Sequence, residues 1–324
     1  MNFLRTLLYL KKYVWVKKQI FKAIISWDFP IYLHLEPTNL CNLRCSFCPN
    51  AQNKEIKKQY MNLKLYRKII DEYAKYKRLL LLLLHKDGEP LLHPDLPEMI
   101  RYAKDRQAAK IVHFATNGIL LNENKSREVI DSGLDDIVIS IDAVKKSTFL
   151  KLKGVDKLEE VESNVTNFIK TRNKLKSKKP FVRVKMIDME ETHSEVSLFQ
   201  KKWERVADKV EITRLCNWPQ LETVGKNTTS STSRYPCTIL WYSPAINSDG
   251  RVSACCFDGD KKRIIGDISE DSMFVIWHGK RLQAIRDAHC NGNYGICRNC
   301  SGWSLEPNLS SWLKNKEKSK KLNI

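Results

Sequence analysis

The chain has 324 residues, 56 Lys and Arg against 37 Asp and Glu, a formal net charge of +19 and a pI near 9.4. This length exceeds the usual single-core size of about 250 residues, so we expect one large domain with a smaller unit, or two domains. The hydrophobic content of 42% is ordinary for a globular protein, and no apolar run is long enough to span a bilayer. The charge indicates an anionic partner such as a phosphorylated metabolite, nucleic acid or a membrane surface.

Residues 1–30 form a basic amphipathic N-terminal segment. Over residues 1–27, lysines and an arginine alternate with Leu, Ile, Phe and Trp. A helix of this kind lies in the interface of an anionic membrane, or it packs its apolar face against the rest of the protein. Both interpretations are open at this point.

Beyond residue 30, strand-like and helix-like segments alternate, which is typical of a parallel α/β architecture. Six strands are predicted at residues 31–35, 79–84, 111–115, 137–141, 182–186 and 210–214, with helices at 63–77, 97–104, 126–132, 158–171 and 195–206. A Ser/Thr-rich stretch within 216–235 is predicted to be a linker, and the charged residues at 307–324 a solvated basic tail.

Three cysteines, Cys41, Cys45 and Cys48, follow the first strand within eight residues. Thiolates at this spacing fit three corners of a cubane iron–sulfur cluster and leave the fourth iron open to a substrate or cofactor. A structural zinc site would need a fourth ligand, but residues 50–59 contain neither His nor Cys. A disulfide framework is typical of small secreted chains, so reduced thiols in the cytosol are expected here.

The segment from Glu36 to Pro49, with Phe47 before its last cysteine, resembles the CxxxCxxC loop of radical S-adenosylmethionine (SAM) enzymes. The resemblance implies a partial (β/α)6 TIM-type barrel over residues 31–215 and a [4Fe–4S] cluster bound to three cysteines and SAM. His85-Lys-Asp-Gly-Glu-Pro90 resembles the family's GGEP motif, although Asp87 stands where a glycine is commonest. There Gly88 and Glu89 would receive the amino group of SAM.

Other polar residues follow the later strands, where parallel barrels carry their chemistry. Asn117, and Ser140 with Asp142, resemble family positions that bind the ribose and carboxylate of SAM, while a role as a helix cap or turn residue is the alternative. Arg183 on the fifth strand would pair with that carboxylate. Cys216 after the sixth strand would donate hydrogen to a substrate radical, or would be a buried structural cysteine.

A second cysteine group, Cys237, Cys255, Cys297 and Cys300, resembles the twitch form of the SPASM domain, which implies one auxiliary [4Fe–4S] cluster in residues 236–306. Residues 247–250 between the first two cysteines predict a hairpin turn. Cys256 could replace its neighbour Cys255 as a ligand, and Cys290 has no place in the pattern. A four-cysteine zinc site is the alternative for this group.

The resemblance implies a radical SAM oxidoreductase or epimerase that reductively cleaves SAM to a 5′-deoxyadenosyl radical and abstracts hydrogen from a polar, carbohydrate-like small molecule or glycan. It also implies a one-electron donor such as flavodoxin or ferredoxin. A peptide-modifying maturase is the enzymatic alternative, and a zinc-stabilised protein that binds nucleic acid or a membrane surface is the non-enzymatic one. Nucleic acid is not expected, because no RNA-binding module is evident. We expect a cytoplasmic protein, peripheral at the inner face of the membrane if residues 1–27 bind lipid.

Overall fold

A computed structural model describes residues 28–53, 55–219 and 236–302. The basic N-terminal segment up to residue 27, most of the predicted linker and the basic tail lie outside these ranges. Within them, no helix combines the length and the apolar character that crossing a bilayer requires.

Six strands alternate with helices in the larger part of the chain. The strands are β1 Tyr32–Leu35, β2 Leu79–Leu83, β3 Ala109–Thr116, β4 Asp136–Ser140, β5 Phe181–Asp188 and β6 Lys209–Arg214. The helices are α1 Pro49–Gln52, α2 Leu63–Tyr76, α3 Leu96–Asp105, α4 Glu123–Asp131, α5 Lys146–Lys153, α6 Leu158–Lys174 and α7 Val196–Trp203, with 3-10 turns at Pro90–Leu92 and His193–Glu195.

The C-terminal part contains shorter elements. They are the strands β7 Ala245–Ile246, β8 Arg251–Ser253 and β9 Ile264–Asp267, the helices α8 Met273–Trp277 and α9 Lys280–Cys290, and 3-10 turns at Thr238–Trp241 and Gly295–Cys297. The predicted hairpin is confirmed: β7 and β8 are antiparallel, and Gly250 takes a φ of +92° at the turn, which favours glycine.

All nine strands belong to one sheet, in the order β6-β5-β4-β3-β2-β1-β7-β8-β9. The first six pair in parallel with their sequence neighbours, which confirms the partial (β/α)6 barrel. Since β7 pairs in parallel with β1, the C-terminal part extends the barrel sheet at its free edge. The sheet therefore carries the second cysteine group directly beside the strand that leads into the first.

The two faces of the barrel strands differ in polarity. Leu33, Leu82, Val112 and Phe114 point to the outer face and are fully buried beneath the helices. Burial of each such side chain stabilises the fold by about 1.5–3 kcal/mol. The inner face, in contrast, carries many polar side chains, which are described below. The outer face therefore stabilises the fold, while the inner face has polar side chains that can bind a ligand.

Candidate cluster and cofactor site

The cysteines of the first loop, Cys41, Cys45 and Cys48, lie together just beyond the end of β1. The loop is closed by a hydrogen bond of 3.1 Å from the Cys48 N–H to the Cys45 carbonyl. Desolvation in the packed loop, followed by the charges of Glu89 and of the other two thiols, raises the pKa of Cys41 to about 12. The three thiols thus disfavour one another's ionisation, and a positive centre between them would remove that penalty.

The turn after β2 packs directly on the cysteine loop. The Glu89 N–H donates to the Leu40 carbonyl at 2.7 Å. A Cβ on Gly88 would lie 2.2 Å from the carbonyl oxygen of Thr38 and 2.5 Å from that of Leu40, so only glycine permits this approach. The turn and the loop therefore form one rigid unit around the Gly88 backbone.

The carboxylate of Glu89 is buried and held by three donors. Its Oε1 accepts hydrogen bonds from the Thr116 hydroxyl at 2.7 Å and the Leu91 N–H at 3.1 Å, and its Oε2 accepts one from the Asn117 N–H at 2.8 Å. The Asn117 side chain donates to Asn42 in the cysteine loop at 2.7 Å. The structure thus brings the predicted residues Glu89 and Asn117 together beside the cysteines. Thr116 and Asn42 join them, and the sequence analysis missed both.

Lys153 contacts three more of the predicted cofactor residues: Asp142, Ser140 and Phe47. Its ammonium pairs with Asp142 at 2.5 Å, lies 3.4 Å from the Ser140 carbonyl and sits 5.4 Å from the centre of the Phe47 ring. Desolvation raises the pKa of Cys45, and the charge of Lys153 opposes that rise. The sequence analysis missed Lys153 because it missed helix α5. A lysine on the apolar face of that helix was the available signal.

Arg183 has two carboxylate partners within the chain. Its guanidinium pairs with Asp136 and lies 3.1 Å from Oε1 of Glu211. Among the described residues, no hydrogen bond or ion pair joins Arg183 to the cysteine loop. The structure therefore does not bring Arg183 together with the other predicted cofactor residues, and its charge is already balanced.

Cys216 lies where the barrel meets the C-terminal part. Its thiol is hydrogen-bonded to the Ser301 side chain, and burial raises its pKa. The adjoining Asn217 N–H donates to Oγ of Ser301 at 2.8 Å, and the Ser301 N–H donates to the Asn217 carbonyl at 3.2 Å. Since Ser301 follows Cys300, Cys216 stands beside the second cysteine group.

The second cysteine group consists of Cys237, Cys255, Cys297 and Cys300. Burial, only partly offset by the charge of Arg263, raises the pKa of Cys255 to about 12, and the thiols of Cys297 and Cys300 add to that rise. Arg263 Nη1 lies 2.9 Å from Sγ of Cys297, and the Gly302 N–H donates to Sγ of Cys300 at 3.3 Å. Such donors stabilise cluster-bound thiolates.

Two further cysteines of this part, Cys256 and Cys290, are not members of that group. Burial and the adjoining Cys255 raise the pKa of Cys256, while the charge of Lys86 opposes the rise. The charges of Lys86, Asp87 and Cys237 thus act on Cys256, whereas those of Cys297 and Cys300 act on Cys255. Cys290 is exposed at the end of α9.

These residues fit the cofactors that the resemblance implies. Gly88 lets the turn after β2 pack on the cysteine loop, Glu89 presents a fixed carboxylate, and both cysteine groups gather thiols. Within the described ranges, no group of three or more His, Cys, Asp or Glu is arranged to hold a single metal ion.

Two family models match the chain. The Radical SAM superfamily model matches residues 35–177, and the SPASM model, described as an iron–sulfur cluster-binding domain, matches residues 237–301. Together the two matches cover more than half of the chain.

Curated relatives match about half of the chain or less. The tungsten-containing aldehyde ferredoxin oxidoreductase cofactor-modifying protein of Pyrococcus furiosus is 28% identical over 165 residues, which are 51% of this chain and 46% of the relative. A probable GTP 3',8-cyclase of Methanococcus maripaludis is 31% identical over 135 residues, 42% of this chain and 44% of the relative. The chain thus spans less than half the length of the curated relatives it matches.

Solved structures share the fold over most of the chain. The structure of BtrN in complex with AdoMet and 2-DOIA is 18% identical with a TM-score of 0.56, covering 84% of this chain and 93% of that one. Streptococcus suis SuiB bound to S-adenosylmethionine is 16% identical with a TM-score of 0.62, covering 85% of this chain and 73% of that one. At these identities the likeness concerns the fold alone.

Proposed function

Because this chain belongs to the radical SAM superfamily and carries a SPASM iron–sulfur domain, we propose that it is a radical SAM enzyme that oxidises or epimerises a polar, carbohydrate-like substrate. As a member of that superfamily it uses SAM, a [4Fe–4S] cluster bound by three cysteines and SAM, and an auxiliary [4Fe–4S] cluster. When bound, these groups supply a reductive cleavage of SAM that yields a 5′-deoxyadenosyl radical. The chain supplies position and exclusion of water.

The residues that would hold the first cluster and SAM are already held in place by hydrogen bonds. Cys41, Cys45 and Cys48 would bind three irons, and the carbonyls near Gly88 with the Glu89 carboxylate would accept hydrogen bonds from the SAM amino group. Three donors fix Glu89 before any ligand arrives. Such preorganisation reduces the entropy that binding costs.

The observation that carries the proposed reaction is the position of Cys216. Through Ser301, this thiol adjoins Cys300 of the auxiliary site, beyond the end of β6. A substrate radical there has two outcomes. The auxiliary cluster, when bound, would accept an electron, and loss of a proton as well would give a ketone from an alcohol. Hydrogen donated by the Cys216 thiol to the opposite face would instead give an epimer, and the resulting thiyl radical would need an electron from the donor and a proton to be restored.

The inner face of the barrel supports a polar substrate. That face carries the polar side chains of His34, His113, Asp136 and Lys185, which suit a polar substrate, together with apolar side chains such as Leu83 and Val138. The names of the curated relatives point to a nucleotide and to a cofactor rather than to a sugar. A phosphorylated polar substrate, such as a nucleotide, is therefore the second candidate, and the charge of Lys185 favours it.

The test is anaerobic reconstitution followed by reduction in the presence of SAM. We expect about eight irons per chain, four for each cubane, and formation of 5′-deoxyadenosine. Cys41→Ala should lose about half of the iron and all SAM cleavage, whereas Cys290→Ala, at an exposed thiol outside both groups, should match wild type. A colourless protein, or Cys41→Ala with wild-type cleavage, would overturn the proposal.

A further inference from the structure

Within the part of the chain that the structure describes, the inner face of the barrel carries one cation, Lys185, that no carboxylate pairs with. Directly paired residues of parallel strands point to the same face, so Arg183, Lys185 and Glu211 share the inner face with Asp136. Glu211 lies 3.1 Å from Arg183 and 2.8 Å from Lys209. The carboxylates of this face are therefore neutralised by neighbours other than Lys185.

Asp136 is likewise saturated. It pairs with Arg183 and lies 2.6 Å from Nδ1 of His113. Nearby Asp142 is bound by Lys153 at 2.5 Å. In the described parts of the chain, Lys185 has no side-chain hydrogen bond or ion pair, although it is half-buried. A partly desolvated ammonium without a counter-charge is unfavourable, and an anionic ligand removes that cost.

The surroundings of Lys185 place it in the space above the barrel strands. Its charge acts on His85 and on Cys216, so it lies between the turn after β2 and the residues after β6. This position is beside Cys216, the thiol that we propose donates hydrogen to the substrate radical.

Three histidines line the same space. The His85 ring lies 5.8 Å from the His34 ring and 5.1 Å from the His113 ring. Burial, followed by the charge of its neighbour His113, lowers the pKa of His34 to about 4, so the ring is neutral at pH 7. The Nδ1 atom of His34 is buried without a hydrogen-bond partner in the described ranges. Nδ1 of His85 accepts a hydrogen bond from the Ala115 N–H at 3.3 Å, and Nδ1 of His113 lies 2.6 Å from Asp136, so among the three Nδ1 atoms that of His34 is the one left without a partner in the described ranges.

We propose that the barrel interior contains an anion-binding pocket, in which the Lys185 ammonium binds a phosphoryl or carboxylate group of the substrate and the neighbouring histidine rings provide hydrogen bonds. This inference rests on the proposed function, and it adds that the substrate is an anion. An oxyanion held here fixes the substrate in register with Cys216 and the auxiliary site.

The experiment measures anion binding to the cluster-loaded protein by calorimetry, with inorganic phosphate and acetate as separate probes at constant ionic strength. Lys185→Met should raise the dissociation constant of the bound anion at least tenfold. Lys185→Arg keeps the charge, so its dissociation constant should stay within about threefold of wild type. Lys110→Met is the matched control, because Lys110 is exposed on strand β3, which lies two strands from β5 in the same sheet. Preference for phosphate identifies a phosphoryl group, and preference for acetate a carboxylate.

Three results would overturn the pocket: neither anion binds wild type, Lys185→Met binds as wild type does, or Lys185→Met loses SAM binding. The last result would assign the lysine to the carboxylate of SAM. Formation of 5′-deoxyadenosine by wild type, measured without substrate, tests the proposed function separately. If the protein binds the anion but cannot cleave SAM, the proposed enzymatic function is wrong and the anion-binding pocket stands.

Discussion

Replacement of Gly88 by alanine tests whether the turn after β2 fixes the cysteine loop. The new methyl group would lie 2.2 Å from the carbonyl oxygen of Thr38 and 2.5 Å from that of Leu40. Because both are backbone atoms, neither can rotate away, and relief to an ordinary C···O contact of about 3.3 Å requires a shift of roughly 1 Å. Overpacking of this kind costs about 1–3 kcal/mol of stability.

A displacement of that size at a reacting centre lowers the rate by about 100-fold. We therefore expect Gly88→Ala to keep the auxiliary iron and to cleave SAM at least about 100-fold more slowly than wild type, measured as 5′-deoxyadenosine under anaerobic reduction. Gly259→Ala is the control beside the same loop, since its Cβ would meet Pro49 at 3.6 Å, an ordinary contact. If Gly88→Ala cleaves SAM as fast as Gly259→Ala, the turn does not position the loop and the reasoning is wrong.

Three further predictions concern single side chains. Cys255→Ala should lose the auxiliary cluster, measured as iron and by electron paramagnetic resonance, while Cys256→Ala should retain it, because the charges of Cys297 and Cys300 act on Cys255; the reverse outcome would exchange the ligands. Cys216→Ala should convert an epimerase into an enzyme that releases oxidised or dead-end product, and an unchanged product distribution would exclude a role for the thiol. Burial lowers the pKa of His34 to about 4 in the folded chain, so between about pH 6.5 and pH 4 this imidazole is protonated in the unfolded chain but neutral in the folded one. Stability should therefore fall by up to about 3 kcal/mol as the pH falls from about 6.5 to about 4, a loss that His34→Asn reduces and that the exposed His193→Asn leaves intact in thermal unfolding.

Much of the fold was predictable because its strands are long enough to show a pattern. The six barrel strands lie within two residues of their predicted bounds, and the five predicted helices within three. Strand β7 could not be predicted, because two residues carry no periodicity and its pairing with β1 depends on tertiary structure. Helix α5 was missed for another reason: it has no side-chain cap, and only Gly154 marks its end.

The candidate site divides in the same way. The cysteine groups could be found from spacing, and Glu89 from its motif, because those signals are local. The contacts of Lys153 and Lys185 could not be predicted, because they depend on which carboxylates the fold brings next to each lysine. Asp142 balances the first, and no described carboxylate balances the second. Pairing of this kind is decided by which strands meet, and the sequence pattern does not contain it.

Buried charged residues lie at the contact between the barrel and the C-terminal part, between the two cysteine groups. Lys86 pairs with Asp87 behind the first group and donates to the Asp258 carbonyl behind the second at 3.2 Å. Glu36, at the end of β1, accepts from the Ser248 N–H at 2.9 Å. Buried ion pairs add little net stability compared with apolar residues of the same size, but removal of one partner costs about 3–5 kcal/mol. Lys86 and Asp87 belong to the same turn, so a relative displacement of the two parts would break the hydrogen bonds to Asp258 and Ser248 rather than this ion pair. These hydrogen bonds therefore couple the positions of the two cysteine groups.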